Sequence, residues 1–273
     1  MVKKTRLKNN PWVFLLLLFL LTGFNGVHRK SLHIVFIGDS ITYGARVDQP
    51  EKEAPPVIAA AVLRKMPLIK SVQFYNAGKS GATTVDFLPG TKNFSKVVKA
   101  ADQFYKTIED TFSENSYKDI LIFSIMLGTN DSAIEGPNGA PVSKTRYAGN
   151  LKMMIDSLLT RYPTAKFVIH KAPWYSENTY NGSKYLKEGL DRLVSYNTAI
   201  DSLIQTYQTG EITHVFPGDQ SAFPYFKKHH KKKMAPENGQ QGIFYLHPNV
   251  TGSAVLGKKW AKMIYKASLI GVM

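Results

Sequence analysis

From residue 32 onward, short apolar runs alternate with longer stretches in which apolar residues recur every three or four positions. Leu32–Ile37 is broken only by His33, the pattern of a strand covered on both faces. Val72–Tyr75, Ile120–Leu127, Lys166–His170 and Ile212–Val215 read as four further strands, with Ile120–Leu127 the most apolar. Helical spacing occupies Ala54–Met66, Phe94–Asp110, Lys144–Arg161, Lys184–Tyr207 and Thr251–Ala267. Pro55 and Pro56 are compatible only with a first helical turn, where no intrahelical N–H is required. Strands separated by helices of this length predict a five-stranded parallel sheet with helices on both faces, three layers in all. Right-handed crossovers then bring the C-terminal ends of the strands to one rim, where open α/β sheets bind ligands. We find no internal repeat and no low-complexity linker, so residues 31–273 are expected to form one domain.

The first 30 residues stand apart. Lys3, Lys4, Arg6 and Lys8 precede the apolar run Trp12–Leu21 and then Gly23 and Gly26, the composition of a signal peptide or an N-terminal membrane anchor. The rest is therefore expected to be exported, periplasmic or extracellular, touching a membrane only if that segment is retained. With no cysteine, thiol chemistry, disulfides and thiolate metal sites are excluded. The net charge of +15 falls to +9 once the six Lys and Arg of residues 1–30 are set aside. Much of the remainder lies in Lys227–Lys233, which reads as a solvated basic loop, suited at most to drawing in an acidic sugar or a phospholipid head group. No motif for nucleic-acid recognition accompanies it.

Four segments at the predicted rim carry candidate chemistry. Gly38-Asp39-Ser40-Ile41 follows the first strand, placing a serine on a tight turn either as a nucleophile or as an ordinary turn residue. Asn76 to Thr84 is glycine-rich and either exposes backbone N–H groups to a ligand or simply connects two elements. In Gly128-Thr129-Asn130-Asp131 the Asn130 amide can donate to an oxyanion or cap a turn. Finally, His247-Pro248-Asn249 presents, from what reads as a loop, the one histidine of seven suited to act as a base.

In order, spacing and surroundings these blocks resemble the SGNH (GDSL-like) hydrolase family, over residues 32 to about 268. The resemblance implies a three-layer α/β/α (flavodoxin-like) fold and a serine esterase needing no metal or cofactor. Ser40 would be its nucleophile and His247 its base. The oxyanion hole would comprise the backbone N–H groups of Ser40 and Gly81 and the Asn130 side chain. One departure stands out. The family usually keeps an Asp three residues before the histidine, and that position is Phe244. Either an acid comes from elsewhere, with Asp219 and Glu237 the nearest upstream candidates, or a backbone carbonyl orients His247 in a Ser–His dyad. We expect the dyad, or an acid not identifiable from sequence, over these two.

Gly218–His247 is similar to bacterial carbohydrate and sialate O-acetylesterases, and the aromatic faces of Trp174 and Tyr175 in Pro173–Asn178 would either suit a sugar ring or belong to a surface loop with one packed Trp. The expected activity is hydrolysis of short acyl, chiefly O-acetyl, esters on carbohydrates through an acyl-enzyme. A lipase or lysophospholipase is the alternative enzyme, though no apolar loop after residue 81 resembles a lid. A non-catalytic glycan-binding protein is the more distant alternative. Asn130 also begins an Asn-x-Ser sequon, which a buried oxyanion donor could not use.

Overall fold

The computed structural model describes residues 29–110, 119–208 and 213–270. The proposed N-terminal segment lies almost wholly outside them, as does Ile212; no helix among the described residues is long and apolar enough to cross a membrane. Strands β1 (Lys30–Gly38), β2 (Ile69–Asn76), β3 (Asp119–Met126), β4 (Lys166–Ile169) and β5 (Val215–Pro217) form a parallel sheet in the order β2-β1-β3-β4-β5. Paired with β2 on one side and β3 on the other, β1 is buried from Ser31 to its end, as its near-continuous apolar run requires.

The helices are α1 (Ser40–Tyr43), α2 (Pro50–Glu53), α3 (Pro55–Leu63), α4 (Lys92–Asp110), α5 (Lys144–Arg161), α6 (Leu186–Thr206), α7 (Ala222–Lys233) and α8 (Val250–Leu269). Successive strand side chains point to opposite faces, and β1 shows which helices cover each. His33 meets Phe104 of α4, whereas Phe36, three positions on, stacks on Trp260 of α8. Pro55 and Pro56 open α3, which packs on α8; α5 packs on α6. The fold is thus the three-layer α/β/α sandwich expected.

Three local expectations need correction. The helix read from Lys184 starts at Leu186, because Lys184 instead pairs with the Glu135 backbone in an isolated bridge. The basic run is not a loop but most of α7: buried Ala222 and Phe226, four residues apart, anchor one face while Lys227, Lys228, Lys231 and Lys232 point to solvent. After α7 comes an antiparallel hairpin, β6 (Met234–Gly239) and β7 (Gly242–Pro248), with no counterpart in the sequence pattern. Its first strand, Met-Ala-Pro-Glu-Asn-Gly, lacks the alternation and β-branched residues that mark strands. His247 consequently lies in a strand rather than in a loop.

Candidate active site

The turn that carries Ser40 depends on the absence of a side chain at Gly38. A Cβ there would lie 2.0 Å from Thr42 Oγ1 and 2.6 Å from the Met126 carbonyl oxygen, so no other residue fits without moving the central strand. Asp39 caps α1 by accepting a hydrogen bond from the Ile41 N–H at 2.9 Å. Ser40 is therefore the first residue of a short helix at the C-terminal end of β1, its own N–H in the set that no helix can satisfy internally. The second segment is tied to this turn: the Asn76 amide donates to the Thr42 carbonyl at 3.0 Å, and its oxygen accepts from the Gly78 N–H at 2.9 Å.

Beyond that turn, Gly81 has φ +77°, a region other residues enter only with strain, and lies open to the cleft. Facing it, Asn130 is clamped at both ends of its amide. Its Oδ1 accepts from the Tyr185 hydroxyl at 2.7 Å, and one Nδ2 hydrogen goes to the Ala82 carbonyl at 3.0 Å. The second Nδ2 hydrogen is left for whatever enters the cleft. At 4% exposure Asn130 has no room for a glycan, so its sequon is incidental. Next to it, Asp131 accepts from the Thr84 N–H at 2.9 Å and from the Thr84 hydroxyl, which accepts in turn from Asn150 at 2.8 Å. This buried network holds the second and third rim segments together.

The hairpin supplies the last part. Ser40 Oγ lies 2.9 Å from His247 Nε2, and His247 Nδ1 lies 2.7 Å from Glu237 Oε1. An ionised carboxylate only accepts, so Nδ1 carries the hydrogen and Nε2 is free to accept from Ser40. That is the tautomer a general base requires. Glu237 Oε2 in turn accepts from Arg46 Nε at 2.8 Å. Burial by itself would raise the Glu237 pKa, but the hydrogen bond and charge of His247, followed by those of Arg46, outweigh it and hold the carboxyl below its ordinary range.

The sequence thus brought Ser40, Gly81, Asn130 and His247 into view, and the structure gathers all four in one cleft of about 300 Å³. The preference for a dyad does not describe this geometry, since a buried carboxylate sits on His247. Of the two candidate acids only Glu237 reaches it. Asp219 accepts from the Ser221 hydroxyl at 2.7 Å and donates its backbone N–H to His170, a different histidine. Glu237 was obscured because it lies ten residues before His247 and meets it only across the hairpin; Asn238-Gly239 and Gly242 were the turn signal that could have exposed the pairing. Arg46 was missed altogether. Of the two readings of Pro173–Asn178, the packed one holds: Trp174 and Tyr175 are both buried, Trp174 packs on His230, and the Tyr175 hydroxyl bonds Ser132.

Asp39 yields a stability prediction. Complete burial pushes its pKa up to about 6, against the lowering effects of the Ile41 N–H and His247. A carboxyl whose folded pKa exceeds its unfolded value of 3.8 binds its proton more tightly in the folded state. Its contribution therefore falls as pH rises from about 4 through about 6. Asp39→Asn keeps a cap acceptor and removes the buried charge. Relative to the parent it is expected to gain about 2–3 kcal/mol between pH 4 and pH 7.5, from a two-unit shift. Urea unfolding at both pH values measures this, and a stability difference that stays constant with pH would refute it.

Comparison with known proteins follows the same lines. Residues 36–255 match the model of the GDSL-like lipase/acylhydrolase family. No curated protein sequence matches. Among solved structures, an acetyl esterase mutant carrying acetate is similar with a TM-score of 0.53 at 17% identity, over 87% of this chain and 98% of the other. A family 3 carbohydrate esterase from Talaromyces cellulolyticus gives 0.51 at 18% identity, over 88% of this chain and 100% of the other. A catalytic mutant of an acetylxylan esterase from Geobacillus stearothermophilus gives 0.50 at 18% identity, over 85% and 93%. At such identities these three establish a shared fold.

Proposed function

The chain belongs to the GDSL-like lipase/acylhydrolase family and is an ester-bond hydrolase, and from that premise we propose that it removes short acyl groups, acetyl above all, from carbohydrates by way of an acyl-enzyme on Ser40. The observation that carries this reading is the hydrogen-bonded series Ser40–His247–Glu237, opening on a cleft with polar walls. In the first step Ser40 Oγ attacks the ester carbonyl carbon while its proton passes to His247 Nε2. Glu237 stabilises the imidazolium that results. The carbonyl oxygen, now negative, is received by the N–H groups of Ser40 and Gly81 and by the spare Nδ2 hydrogen of Asn130. Collapse breaks the bond to the alcohol, which leaves with the proton from His247. Water then attacks the acyl-enzyme with His247 again as base, releasing the acid and restoring Ser40.

The acyl group is argued from the walls. Among the residues lining the cleft only Ala45 and Leu246 are aliphatic; Ser80, Asn181, Ser183 and Tyr185 present hydroxyl and amide groups. An apolar groove would favour each added methylene by about 0.8 kcal/mol, and this lining offers little of that gain. The names of the similar structures, an acetyl esterase and an acetylxylan esterase among them, point the same way. We also take residues 1–30 to direct export, which suits work on polysaccharide outside the cell.

Chain length is the test. On 4-nitrophenyl esters, kcat/KM for acetyl is expected to exceed that for decanoyl at least tenfold, with acetate released from acetylated xylan or pectin. A preference for decanoyl would overturn the carbohydrate reading in favour of a lipid substrate.

A further inference from the structure

We infer that Arg46 is a recognition site for a carboxylate on the alcohol half of the substrate, so that the preferred ester is one carried by an acidic sugar. This rests on the esterase reading above and adds a residue and a substrate class to it. Among the described residues that line the cleft, Arg46 is the one charged side chain apart from His247. Its guanidinium is anchored rather than free, because Nε is held on Glu237 Oε2 at 2.8 Å. No hydrogen bond among the described residues engages Nη1 or Nη2, and the side chain is 57% exposed. The free edge is a planar fork of N–H donors that matches the two oxygens of a carboxylate.

Placement favours the alcohol half. The leaving oxygen has to sit by His247 Nε2 to take its proton, and Arg46 lines the same cleft as His247 and Ser40. An acetyl group held at the oxyanion donors is too small to extend there. Backbone geometry strengthens the case. Arg46 has φ +71°, uncommon for a residue with a side chain, yet it lies just past a turn in which the Gly44 and Ala45 N–H groups both bond the Ser40 carbonyl. The strained conformation therefore sets the cation at a defined position relative to Ser40. The contact with Glu237 uses Nε alone and leaves Nη1 and Nη2 available to a ligand at the cleft wall. The lysines of α7, by contrast, are spread over a solvated helix face, whereas Arg46 is within the cleft itself.

The experiment compares acetate release from the methyl glycoside of 3-O-acetylgalacturonate and from its uronate methyl ester, which adds one methyl group and carries no charge. The wild-type enzyme is expected to prefer the acid about tenfold in kcat/KM, mainly through KM, with the preference shrinking as salt is added. Arg46→Gln should slow both substrates, because Glu237 loses a partner, and should bring the ratio of acid to ester near one. Exchanging Lys228, Lys231 and Lys232 for Gln should leave the ratio intact. Galacturonate should inhibit the wild-type enzyme more strongly than galactose, a measurement independent of whether the Arg46 variant folds. A wild-type ratio of one or less, a ratio unchanged in Arg46→Gln, or a ratio that follows the α7 lysines would overturn the inference while leaving the esterase reading standing. Inactivity of the wild-type enzyme toward every ester, 4-nitrophenyl acetate included, would sink that reading and this inference with it.

Discussion

Ser40→Ala is expected to reduce kcat for 4-nitrophenyl acetate by on the order of 10⁴-fold or more, while leaving the protein folded. The size follows from what the hydroxyl does. It is the group His247 Nε2 reaches, at 2.9 Å, and neighbouring Thr42 is turned toward Gly38 rather than the histidine. Without it the oxyanion donors remain, and such donors with substrate binding alone sustain a residual rate in serine hydrolases well above that in water. Ser40 is only 9% exposed and its side chain makes one hydrogen bond, to His247, so removing one oxygen should cost little stability. Thermal unfolding of the variant alongside its kinetics separates the two effects. Equal rates for variant and parent would remove Ser40 from the reaction.

The second large effect is expected at Glu237, the position where sequence and geometry diverged most. Glu237→Ala should lower kcat by roughly 10²–10⁴-fold, because His247 then loses the group that holds its tautomer and stabilises its charged form. Glu237→Gln should be no better: its amide can donate to Nδ1, which drives the hydrogen to Nε2 and leaves Ser40 with no base. Asp219→Ala should retain activity to within a few-fold, since the Asp219 carboxylate bonds Ser221 rather than His247. Steady-state kinetics on all three variants, each checked for folding, decides the matter. Activity within three-fold of the parent for Glu237→Ala would restore the Ser–His dyad.

These two predictions differ in how far they could be read without coordinates, and the difference is physical. Ser40, Gly81 and Asn130 sit on turns that end β1, β2 and β3, and each is announced by neighbours in the chain. A tight turn needs Gly38, a cap needs Asp39, and an apolar run marks the strand each turn follows. Such requirements act over three or four residues and leave a trace in composition. The parallel sheet was readable for the same reason: a strand covered on both faces must be apolar throughout, and a helix between strands must repeat every three to four residues.

The hairpin left only the Asn238-Gly239 and Gly242 turn signal and no strand pattern on its first arm. Met234–Gly239 is a strand because β7 and the end of α7 offer it partners, not because its residues favour extension. The run Lys227–Lys233 looked like a solvated loop because its anchors, Ala222 and Phe226, both precede the run. Amino-acid order alone determined the layers of this protein and the order of its four rim segments, since local rules of burial and turn geometry govern these, while Ser40, Gly81, Asn130 and His247 were singled out by the resemblance those segments carry. Only the tertiary structure decided that Glu237 is the carboxylate on His247 and that Arg46, at the wall of the cleft, is hydrogen-bonded to that carboxylate. The first depends on pairing across the hairpin and the second on a contact across 191 positions of sequence.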